Sequence, residues 1–60
     1  MTKTDWIEYI KNCKMIDGDC EYALYKDEMH GIIFELDFDG DEILAGYELD
    51  EEFEVVTQLF

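Results

Sequence analysis

Ile32, Phe34, Leu36 and Phe38 stand at alternate positions, and Ile33, Glu35, Asp37 and Asp39 fill the places between them. This period of two is the pattern of a half-buried strand. After Asp39-Gly40-Asp41 the alternation resumes with Ile43, Ala45, Tyr47 and Leu49. A two-residue turn at Asp39-Gly40 sets Leu36 against Ile43, Phe34 against Ala45 and Ile32 against Tyr47, so the apolar residues of both strands share one face. A turn at Gly40-Asp41 preserves that agreement. In the first register Asp37 and Glu42 lie opposite one another, an arrangement that costs stability.

The opening segment, Thr4 to Lys14, has a different period. Trp6, Tyr9, Ile10 and Cys13 fall on one helical face, Thr2 or Thr4 serves as cap, and lysines occupy the last turn. Packing of this stripe on a sheet is the expectation. Asp17-Gly18-Asp19 breaks the chain before a strand from Cys20 to Lys26, with Cys20, Tyr22 and Leu24 on one side. The end of the chain reads two ways. Asp50 as cap and Phe53, Val56 and Phe60 at helical spacing favour a helix, whereas Val55-Val56-Thr57 has strand propensity. The predicted fold class is α+β: an N-terminal helix, a three-stranded antiparallel meander and a C-terminal helix, or a fourth strand in its place.

Composition limits what such a fold can be. Sixty residues make a single domain, 1–60, that buries only about 60% of its unfolded surface. At 48% hydrophobic and 15% aromatic, the chain carries more core-forming material than acidic disordered tails do. Two cysteines, Cys13 and Cys20, are too few for a disulfide scaffold. With Met-Thr-Lys-Thr-Asp in place of a basic-then-apolar leader, they point to a reducing cytoplasm. No run approaches the roughly 20 apolar residues of a membrane span.

Charge changes the picture most. Seventeen acids against four lysines and no arginine give a formal net charge of -13. All four lysines lie in the first 26 residues beside five acids, and residues 27–60 carry the other twelve acids with no lysine or arginine. Such a field attracts basic surfaces and strains the compact state by self-repulsion. Direct binding to nucleic acid is excluded by sign.

From Asp37, acids fall at positions one, three and five of a calcium loop and Glu48 falls at position twelve, but the sixth position, which needs glycine, is Glu42, and strands replace the flanking helices. A small divalent-metal-responsive protein is thus a secondary reading, and no metal ligand is assigned. His30 has no serine anywhere in the chain and no cysteine near it in sequence, so no catalytic residue is assigned and an enzyme is not expected. Cys13, Cys20 and His30 do not match zinc spacings. No cofactor is implied. What remains is a carboxylate surface comprising Glu35, Asp37, Asp39, Asp41, Glu42, Glu48, Asp50, Glu51, Glu52 and Glu54, able to occupy a site built for phosphates. The plainer role for such a surface is to keep the chain soluble.

The order of features resembles that of small phage-encoded anti-CRISPR proteins, of the group that imitates DNA and blocks RNA-guided nucleases. The features are Ile7-Glu8-Tyr9-Ile10-Lys11-Asn12 on an opening helix, Ile32-Ile33 leading a strand into the Asp39-Gly40 turn, a second strand, and the acidic start of a helix at Asp50-Glu51-Glu52. The resemblance implies a phage origin, a bacterial host cytoplasm and a stoichiometric inhibitor whose partner is a basic nucleic-acid-binding protein. An antitoxin or immunity protein that neutralises a basic toxin or nuclease is the alternative.

Overall fold

The computed structural model describes residues 1–60 as one helix and one antiparallel sheet. Helix α1 spans Lys3–Lys11, and the strands are β1 (Lys14–Gly18), β2 (Tyr22–Asp27), β3 (Ile32–Asp39), β4 (Glu42–Leu49) and β5 (Val55–Gln58). They pair in chain order, β1-β2-β3-β4-β5, a simple meander. The α+β class and the central hairpin agree with the alternation pattern. The sheet has five strands rather than three, and the C-terminal helix is absent.

The helix begins where its cap dictates. Thr2 accepts a hydrogen bond from the Asp5 amide while the Asp5 carboxylate accepts one from the Thr2 amide, a reciprocal capping box. The helix ends at Lys11, three residues short of the expected Lys14, because the chain turns at Asn12-Cys13 to enter β1. Strand β1 escaped the sequence reading since all five of its residues are exposed, which removes the alternation that marks a strand, and its register shifts between Met15 and Asp17.

The end of the chain is a strand for a related reason. Asp50 does act as a cap, but of a turn: its Oδ1 accepts from the amides of Glu52 and Glu54 at 2.8 and 3.0 Å. Phe53 sits in that turn with φ 65, outside helical geometry. The β-branched run Val55-Val56-Thr57 then follows its strand preference, Val55 pairing with Leu49 and Thr57 with Glu48 of β4 while Val56 falls at a register shift between them.

One irregularity in the central hairpin rearranges both of its faces. The turn falls at Gly40-Asp41, where Gly40 takes φ 59, and Asp39 faces Glu42 and Phe38 faces Ile43. Beyond this point Asp37 pairs with Ala45, so Leu44 is a bulge residue with no partner. The bulge turns the rest of β4 over. Leu36 faces Gly46 and Phe34 faces Glu48, while Ala45, Tyr47 and Leu49 line up with Asp37, Glu35 and Ile33. The expected pairs of Phe34 with Ala45, Leu36 with Ile43 and Ile32 with Tyr47 are therefore not formed, and Asp37 does not face Glu42.

The core lies on the helix side. Ile10, Ala23, Tyr25, Phe34 and Leu36 are buried together, with Ile10 and Leu36 fully enclosed, and Trp6, Cys13, Ile32, Phe38, Ile43 and Phe60 pack around them. Of the predicted helix stripe, Ile10 is buried, Trp6 and Cys13 are half-buried and Tyr9 remains exposed. Gly46 provides the seat for Phe60, because a Cβ there would come within 2.2 Å of the ring. The outer face carries Tyr22, Leu24, Ile33, Glu35, Asp37, Tyr47 and Leu49, and no helix covers it.

Candidate partner-binding surface

The ten predicted acids separate into three groups. Glu35, Asp37 and Asp39 follow β3 along the outer face, at the roughly 6.6–6.8 Å spacing of alternate strand residues. Glu42, paired with Asp39, and Asp41 in the turn extend this group around the hairpin tip. An open concavity of about 770 Å³ is lined by Glu35, Asp37 and Asp39 together with Tyr22, Cys20 and Leu44. At the other end of the sheet Asp50, Glu51, Glu52 and Glu54 form the exposed β4–β5 turn. These two groups are separated by the length of β4, and Ile33, Tyr47 and Leu49 lie between them on the outer face.

Glu48 stands apart. The bulge brings it to the helix side, across from Phe34 and half-buried, away from the other nine. Consequently Asp37 and Glu48, the first and twelfth positions of the possible calcium loop, project from opposite faces of the sheet, and the two β-strands replace the helices such a loop requires.

The electrostatics of the β3 row are not those of independent charges. A hydrogen bond with Asp37, partial burial and the adjoining negative charge together push the Glu35 carboxyl up to about 7. The two side chains lie on one face of one strand, where each negative charge makes ionisation of Glu35 more costly. Their neighbour Tyr22 is also raised, chiefly by Asp17, then by burial, Asp19 and Glu35. A cation docked in this concavity would oppose that shift and favour the ionised form of Glu35.

Sequence reasoning missed the polar cluster at the opposite edge of the helix. The Tyr9 hydroxyl donates to Asp27 Oδ2, and His30 Nδ1 lies 2.8 Å from the same oxygen. Asp27 Oδ1 accepts from the amides of Met29 and His30, fixing the β2–β3 turn. The Tyr9 and His30 bonds hold the Asp27 carboxyl down to about 2, and Asp27 in turn raises the Tyr9 phenol to about 12. Cys13, pushed up by burial and by Asp27, adjoins a recess with Lys14 and Lys26, which face each other across β1 and β2. The spacing of Asp27 and His30 around a tight turn was the available signal, but nothing in the sequence joined it to Tyr9, 18 residues earlier. Cys20 is exposed, and both thiols are free.

No helix of the chain is long and apolar enough to cross a membrane. No protein-family model, curated protein or solved structure matches the chain.

Proposed function

We propose that this chain is an acidic DNA mimic that inhibits a basic nucleic-acid-binding defence protein, a CRISPR effector above all, in the cytoplasm of a bacterial host. The observation that carries this reading is the lack of internal compensation. The single ion-pair contact within the chain joins His30 to Asp27, so all ten carboxylates of residues 35–54 are left without a cation. Self-repulsion of this kind is relieved by a partner that brings positive charge.

Lysines and arginines that hold phosphates meet comparable oxygen acceptors in Glu35, Asp37 and Asp39 on the outer face and in Glu51, Glu52 and Glu54 at the far turn. Steering by such a field is fast and salt-sensitive. The experiment is competition. The candidate effector is loaded with its nucleic acid and the protein is added, with the Glu35→Lys, Asp37→Lys, Asp39→Lys triple variant in parallel. Binding to the empty form only, weakened steeply by salt and abolished in the triple variant, is the expected result. Equal binding to loaded and empty forms, or inhibition by the triple variant, rejects mimicry and favours neutralisation of a toxin through another surface.

A further inference from the structure

The side of Glu48 that faces the helix carries a feature the acidic surface does not account for. Trp6 and Tyr9, one helical turn apart on α1, meet Phe34 of β3 in a mutually inclined trio. The ring centroids lie 6.2 Å apart for Trp6 and Tyr9, 6.2 Å for Trp6 and Phe34 and 5.8 Å for Tyr9 and Phe34. The interplanar angles are 75°, 51° and 89°. Phe34 is buried and forms a floor, while Trp6 and Tyr9 are partly open. These three rings, Ile32 and Glu48 line a cleft of about 180 Å³ with Met1 at its side. Its only carboxylate is Glu48, which forms no ion pair within the chain.

We propose that this cleft receives one alkylammonium group, the end of a lysine side chain presented by the basic partner. Aromatic faces attract a cation through their quadrupoles, and the attraction strengthens as water is excluded. A carboxylate beside them supplies the counter-charge, and the apolar walls accept the methylene stem. The size agrees, as an apolar cavity of about 150 Å³ holds a benzene-sized molecule. No lysine of the chain lines the cleft, and Lys3 at the start of the helix is directed elsewhere, its Nζ standing 6.0 Å from the Phe60 centroid. Two devices hold the cleft in shape. The Leu44 bulge sends Glu48 to this face, and Asp27, through the Tyr9 hydroxyl, acts as a positioning residue for one aromatic wall.

The choice of a protein lysine as the source rests on the reading of the chain as a binder of a basic partner, but the cleft can be tested without that partner. Trp6 is the only tryptophan, so its emission reports on the site alone. The probes are Nα-acetyl-lysine methylamide, its Nζ-trimethyl form and, as a neutral control, its Nζ-acetyl form, titrated at constant ionic strength. A lone ammonium in such a cleft binds with a Kd on the order of millimolar. We expect saturable changes with both cations and none with the acetylated control, and roughly tenfold weaker binding in Glu48→Gln and in Tyr9→Leu. Thermal melts of both variants establish that they fold, and Glu48→Gln, isosteric and less charged, serves if Tyr9→Leu does not. Equal binding of the neutral control, unchanged affinity in Glu48→Gln, or no saturable response to either cation overturns the proposal. The outcomes of the two tests are separable: cation binding without nucleic-acid competition keeps the cleft and rejects mimicry, and competition without cation binding does the reverse.

Discussion

Gly46 shows how a single missing methyl group shapes this chain. It lies within β4, where glycine is normally a liability because it loses more backbone freedom on folding than alanine does, at a cost of about 0.5–1 kcal/mol. Its backbone is bonded to the last residues, with Leu59 N donating to Gly46 O at 2.8 Å and Gly46 N to Phe60 O at 3.3 Å. The Phe60 ring occupies the space a side chain would take. Gly46→Ala should therefore destabilise the fold by about 1–3 kcal/mol, the range for overfilled sites. For a domain of this size each kcal/mol lowers Tm by roughly 4–8 °C. In a Phe60→Ala background the clash is gone and only the backbone term remains, so the same substitution becomes neutral or stabilising. A calorimetric double-mutant cycle reads this reversal of sign, and a cost equal in both backgrounds would refute the role assigned to Phe60. Sequence inspection offers no route to this pair, since nothing near Gly46 announces that a residue 14 positions later will lie over it.

Among the elements, legibility followed the strength of periodicity. The opening helix and the β3 strand were readable because their apolar spacing is regular and centres on residues that the core encloses, Ile10 in the helix and Phe34 and Leu36 in the strand. Strand β1 was unreadable because its burial pattern is uniform, and β5 was ambiguous because Asp50 caps a turn as well as it would cap a helix. The bulge is the most instructive miss. Ile43, Ala45, Tyr47 and Leu49 alternate in sequence, yet Ile43 belongs to the helix side and the others to the outer face, with Leu44 extruded and 53% exposed between them. That is why nine of the ten predicted acids stayed on the outside and Glu48 did not. The bulged register has a testable consequence. Deleting Leu44 removes a residue that has no partner and leaves Ala45, Gly46, Tyr47 and Glu48 on their present faces. The variant should keep a cooperative melt within about 1–2 kcal/mol of the parent, whereas deleting Tyr47 should abolish it. In a bulge-free register the Leu44 deletion would instead turn over every residue after it, so loss of cooperative folding in that variant would sink the assignment.

For the whole molecule, a net charge of -13 on 60 residues makes stability a function of pH and salt. The direction follows from where protons are held. Glu35, raised to about 7 by Asp37, by burial and by the nearby charge, keeps a proton in the folded chain that the unfolded chain releases near 4.5, the ordinary value for a glutamate. The folded state thus binds more protons in this interval, and its stability falls as pH rises from about 4.5 to 7. Asp27 works in the opposite sense. Held down to about 2 by Tyr9 and His30, it contributes stability that is present above about 4 and lost as pH falls toward 2. The two trends leave the highest stability between about pH 4 and 4.5, beside the isoelectric point of about 4.1, and at pH 5 most of it is kept while the chain carries enough net charge to resist aggregation. Tm measured at low ionic strength should accordingly be higher at pH 5 than at pH 7. Added sodium chloride should recover part of the difference at pH 7 by screening the carboxylates, with less effect at pH 5. Glu35→Gln, which cannot release a proton, should flatten the profile between the two pH values and raise Tm mainly at pH 7. A Tm that rises from pH 5 to pH 7, or a profile unchanged by Glu35→Gln, would mean that the Glu35–Asp37 pair does not carry the charge strain of the outer face.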